Sequence, residues 1–174
     1  SPPADYLKEV FLPTVTPMGI QAKIEIPLKG FYPIGGGVLE ATVNPFQIPL
    51  KPLRTQERGK LMQVRILSMV ANLPLSIATR QLNQAVARLT EHGLRPFGET
   101  GTAESPGKGT FCFIQAEFEH VRAGFSALGA IGKRAEQVAD EAVEEFLRFW
   151  NGRGALDRHL VDQVVLCMAL AEGE

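Results

Sequence analysis

The chain has 174 residues, 45% hydrophobic and 21% charged, which excludes a disordered polymer and leaves enough apolar side chains for a real core. Its formal net charge of −1 excludes the uniformly basic character of many nucleic-acid binders, although it leaves room for local patches. No apolar run reaches the roughly 20 residues of a membrane-spanning helix and no signal peptide opens the chain, so no membrane is expected and the cytoplasm is the expected location.

Taken in order, Tyr6, Leu7, Val10 and Phe11 share one face and predict a helix over residues 5–18. Asp5 caps it, Pro13 kinks or interrupts it, and Gly19 stops it. Residues 20–28 then alternate, with Ile20, Ala22, Ile24, Ile26 and Leu28 on one side and Gln21, Lys23 and Glu25 on the other, as in a half-buried strand. After the turn GFYPIGGGVLE, Leu39, Ala41 and Val43 continue as a second strand, and the two read as an antiparallel pair. Residues 44–60 hold Pro45, Pro49 and Pro52 with Lys51, Arg54, Arg58 and Lys60, and read as a solvated basic connector.

A strand is expected over residues 61–71, around Val64, Ile66 and Met69. Pro74 opens an amphipathic helix that points Leu75, Ala78, Leu82, Ala85, Val86 and Leu89 inward and ends at Gly93. The run from Gly98 to Gly109 is rich in Gly, Ser, Thr and Pro and is expected to be mobile. Residues 111–119 alternate as a strand, and Gly124, Gly129 and Gly132 break the next segment. A long helix follows from about Arg134 to Trp150, and Asp157 caps a last, mostly apolar one. The predicted fold is α+β, with a compact module from about residue 60 to 152 between outer pieces.

Four places invite a chemical reading. Gly35, Gly36 and Gly37 lack the lysine and hydroxyl of a Walker loop and lead into a strand, so a tight corner is favoured over a phosphate cradle. His159, Asp162 and Gln163 stand three and four apart on the closing helix and form one polar patch. Two readings fit them: a water-exposed helix start, or a site that holds a ribose or a base. Lys133 and Arg134 suit a solvated turn or a phosphate, and Phe125 suits a core or a stacking surface. No cysteine and histidine cluster has ligand spacing, so Cys112 and Cys167 read as buried thiols of a reducing compartment and no metal site is expected.

Together, KGFYPIGGGVLE and HLVDQVVLCMALAEG resemble the signature and the nucleotide-contacting helix of the RNA 3'-terminal phosphate cyclases. SPPADYLKEVFLP and GFSALGAIGKRAEQVADEA resemble them too, in the same order, so the likeness covers nearly the whole chain. Lys29 stands where Arg or His is usual, which keeps the charge. The resemblance implies a core of repeated α/β units resembling the enolpyruvyl transferases, with a smaller inserted α/β domain. Residues 1–59 would belong to the core, 60–152 to the insertion, and 153–174 to the start of a truncated final repeat.

The implied reaction uses ATP and a divalent metal, Mg or Mn, on an RNA with a 3'-phosphate end. A histidine is adenylated, AMP passes to the RNA phosphate, and the adjacent 2'-hydroxyl attacks to give a 2',3'-cyclic phosphate. By the same resemblance His159, Leu160, Val161, Asp162 and Gln163 line the ATP site, facing a nucleotide cleft. Asp162 takes the ribose hydroxyls, Gln163 sits near the reacting phosphate, and His159 replaces the usual tyrosine against adenine. Phe125 and Pro3 complete the adenine pocket. The family's nucleophile follows this helix, but the 11 residues after Gln163 contain no histidine. The chain is therefore expected to be part of a longer protein and inactive alone. A non-catalytic cyclase-like factor of ribosome assembly is the alternative, and oligomeric state is left open.

Overall fold

The computed structural model describes residues 2–46 and 48–172. Ser1, Gln47 and the last two residues of the expected final repeat, Gly173 and Glu174, lie outside them. The first helical stretch is a succession of short pieces: α1 (Ala4–Tyr6), a π-turn over Leu7–Phe11, α2 (Leu12–Val15) and a 3₁₀ turn over Thr16–Met18. Pro13 has no N–H to give, and the preceding turn widens so that the Leu12 N–H reaches the Leu7 carbonyl. The proline is thus absorbed by a π-turn, and the helical path continues to Gly19.

Strands β1 (Ala22–Leu28) and β2 (Val38–Val43) pair antiparallel as a two-stranded ribbon. The second sheet has the order β4-β3-β5-β6, from β3 (Leu61–Ala71), β4 (Phe97–Thr102), β5 (Gly109–Phe118) and β6 (Arg122–Leu128). Strand β4 runs parallel to β3, while β5 and β6 run antiparallel to their neighbours. Helices α3 (Leu75–Glu91) and α4 (Ala135–Asn151) cover one face, and α5 (Arg158–Ala169) packs on the other with the N-terminal helices. These elements make the fold α+β.

The alternation of β5 sets this layering. Cys112, Ile114, Ala116 and Phe118 join the core beneath α3 and α4, with Ala85, Leu89, Val143 and Phe146. Phe111 and Phe113 join a second core with Tyr6, Val10, Val15, Leu160 and Val164. A sheet buried on both faces binds the outer pieces to the central module.

Three expectations are corrected. The stretch expected to be mobile contains β4, and the loop after it is held by Asn72, whose amide donates to the carbonyls of Ser105 and Gly107 at 2.8 and 2.9 Å. Of the segment expected to be broken by glycines, Arg122–Leu128 is strand β6 despite Gly124, whereas Gly129 and Gly132 do lie in the irregular stretch before α4. On α3 the inward stripe differs: Leu75 is 46% exposed, and fully buried Gln81 takes a core position. Ser68 donates to Gln81 Oε1 at 2.7 Å and Gln81 Nε2 donates to Thr110 at 2.9 Å, which satisfies the buried amide.

Candidate nucleotide site

The glycine signature is a corner. A Cβ on Gly37 would stand 2.5 Å from the Gly30 nitrogen, and one on Gly30 would stand 2.7 Å from the Gly37 nitrogen, so the two ends of the loop touch through bare backbone. Between them Gly35 and Gly36 take φ of +66° and +72°. Lys29 ties the corner down: its amine donates to Asp5 Oδ2 at 2.6 Å, with both side chains largely buried, and lies 5.1 Å from the centre of the Phe111 ring. The signature lysine thereby joins the ribbon, the first helix and the sheet.

Helix α5 begins where Asp157 caps it. Asp157 Oδ1 accepts the N–H groups of His159 and Leu160 at 2.9 and 3.1 Å. The same carboxylate accepts the Tyr6 hydroxyl, 2.8 Å from each oxygen, and the Gly124 N–H at 3.2 Å. Burial, then the adjacent Asp157 charge and its hydrogen bond, push the Tyr6 phenol far above its ordinary value. The sequence shows Asp157 as a cap; its contacts with Tyr6 and β6 depend on the tertiary fold, and no local pattern announces them.

The structure brings some of the sequence-predicted residues together and separates others. Phe125 and His159 border one cavity of about 270 Å³, together with Gly124, Phe149 and Asp157. Phe125 is nearly buried and packs its ring 5.4 Å from Phe149 and 5.6 Å from Phe146. The His159 ring meets the edge of Tyr6 at 6.0 Å, and its Nε2 accepts the Arg158 Nε–H at 3.3 Å. Arg158 in turn donates to Glu145 at 2.6 Å.

The remaining candidates lie elsewhere. Leu160 is fully buried in the second core, so its side chain serves packing. Val161 and Asp162 are exposed on the outward side of α5. Gln163 is half-buried, and its Oε1 is a buried acceptor with no partner among the described residues. Pro3 borders a different cavity, of about 390 Å³, beside Asp5, Lys29 and Phe111. Among the described residues, no group of three or more His, Cys, Asp or Glu side chains stands together to hold a metal ion.

Arg58 was read as part of a solvated connector, and the structure corrects this. Its guanidinium donates to the carbonyls of Phe149, Trp150 and Gly152 at 2.6, 2.7 and 2.9 Å, closing the C-terminus of α4 beside the same cavity. It also lies 4.9 to 5.9 Å from the ring centres of Phe149, Phe118 and Trp150. The local signal that could have pointed to it is the aromatic end of the helix, Phe146, Phe149 and Trp150, with Gly152 after it.

An α+β module with a two-sided sheet and a cleft at the start of its last helix is the class of structure that these elements define. Comparison with known proteins gives that class a family. Residues 56–151 match the model of the RNA 3'-terminal phosphate cyclase insert domain. The chain is 38% identical over 174 residues to an RNA 3'-terminal phosphate cyclase of Methylococcus capsulatus, covering 100% of this chain and 48% of that protein. It is 39% identical to the protein of that name from Thermococcus gammatolerans, covering 100% and 51%, and 39% identical to that from Methanothermobacter thermautotrophicus, covering 98% and 50%. The chain belongs to the RNA 3'-terminal phosphate cyclase family. It spans about half the length of these curated relatives.

Proposed function

We propose that the whole protein converts RNA 3'-phosphate ends to 2',3'-cyclic phosphates with ATP, and that this chain supplies the walls that hold the ATP nucleoside. The observation that carries the reading is the cavity shared by Phe125 and His159, in a chain whose relatives bear the cyclase name. That name also favours the enzyme over a non-catalytic factor of ribosome assembly.

In this reading Phe125 and His159 flank the base, and Asp162 accepts hydrogen bonds from the ribose hydroxyls on the open side of α5. Gln163 lies toward the reacting phosphate, and its unpartnered Oε1 leaves an acceptor for a donor from outside the described residues. ATP supplies the activation that makes the RNA phosphate a competent electrophile for its neighbouring 2'-hydroxyl. The reading includes Mg or Mn, for which no group of three or more His, Cys, Asp or Glu side chains stands ready among the described residues. A cytoplasmic location fits the free thiols Cys112 and Cys167, and no helix of the described residues is long and apolar enough to cross a membrane.

The test is direct. The whole protein, given ATP, Mg or Mn and a 5'-labelled oligoribonucleotide with a 3'-phosphate, is expected to make the label's 3' end resistant to phosphatase. An end that stays phosphatase-sensitive with both metals overturns the reading.

A further inference from the structure

Asp157 does more than start a helix. An exposed capping carboxylate needs only the helix N–H groups it accepts. Asp157 is 2% exposed and accepts from four groups: two N–H groups of α5, the Gly124 N–H of β6, and the hydroxyl of Tyr6, which lies 151 positions earlier. A carboxylate so buried is costly unless such donors surround it. Tyr6 is the donor that comes from neither wall of the cavity. Its ring reaches the carboxylate because position 124 has no side chain; a Cβ there would stand 2.6 Å from the Tyr6 ring.

The node sits between the two walls. Gly124 immediately precedes Phe125, and His159 is the second residue of α5, so the Asp157 oxygens hold the backbone of both sides at once. The Tyr6 ring also meets His159 edge-on, with an angle of 76° between the rings. We infer that Tyr6, acting through Asp157, is a positioning residue that sets the gap between Phe125 and His159 and so tunes the grip on the nucleobase of ATP. This deepens the proposed function and rests on it.

Tyr6→Phe removes the hydroxyl and keeps the ring, leaving the buried carboxylate one donor short. Asp157→Asn keeps a capping oxygen for α5 but turns an amide toward Gly124 or Tyr6. Both variants of the whole protein are compared with wild type by calorimetry, using ATP and inorganic triphosphate, which has no base. The inference expects ATP affinity to fall about tenfold in each variant, while triphosphate affinity stays within about twofold. A Tyr6→Phe protein that binds ATP like wild type overturns it. Equal losses for ATP and triphosphate in both variants also overturn it, since they mark a general loss of structure. A wild type that binds triphosphate but discriminates nothing for the adenosine half overturns the proposed function and this inference together. If Tyr6→Phe does not fold, Asp157→Asn decides by the same two ligands.

Discussion

The Gly30–Gly37 contact shows how much a single missing carbon can matter. Two glycines with six residues between them lie so close that a methyl group on either would enter the other's backbone. Neither neighbour is the flexible end of a side chain, so the strain has no cheap release. Gly37→Ala is expected to cost about 3 kcal/mol or more of stability, read as a lowered denaturant midpoint, whereas Gly19→Ala meets nothing within 4 Å and costs only its positive-φ strain. Equal losses at the two positions would refute the close-contact account. The same scale explains Cys112. Burial raises its thiol to about 12, so it is an inert core residue and not a nucleophile.

At the scale of elements, the end of α4 and the start of α5 border the candidate cavity. Helix α4 finishes beside the cavity, and its last carbonyls are taken by Arg58 from a distant connector. These charge-assisted bonds answer the unmet acceptors that every helix C-terminus has. Arg58→Ala is therefore expected to cost about 2 kcal/mol and to speed amide exchange in the last turn of α4, around residues 147–151. The exchange of α3 serves as the control, because its ties to α4 run through Arg80 with Glu136 and Arg88 with Asp140. Uniform acceleration of both helices would show that Arg58 acts on the core as a whole and not on the helix end.

At the scale of the whole molecule, the proposed site is distributed over pieces far apart in the chain. Its nucleobase walls come from β6 and α5, and its supporting hydroxyl from α1. Asp162 faces outward from α5, where Val165 and Leu166 are also exposed at 58% and 71%. Among the described residues Asp162 makes no side-chain hydrogen bond or ion pair, so its removal breaks neither. In the whole protein Asp162→Ala is expected to weaken ATP binding about tenfold by calorimetry, with an unchanged melting temperature. Unchanged affinity would remove Asp162 from the site.

Local patterns were legible wherever one face of an element repeats. The alternation of residues 20–28, the stripe along α4 and the cap at Asp157 could be read directly, because periodicity and capping are properties of neighbours in sequence. Strands β6 and β4 could not, since Gly124, Gly98 and Gly101 weaken the strand signal and pairing with β5 or β3 restores the strand. The quoted motifs likewise pointed to the RNA 3'-terminal phosphate cyclases, and the insert-domain match bears that family out. Which side chains of α5 share a cavity, which are core, and why Arg58 and Tyr6 matter to it were decided only by tertiary structure. Those contacts join residues dozens to more than a hundred positions apart, and hydrogen bonds of that reach leave no period in the chain for a reader to find.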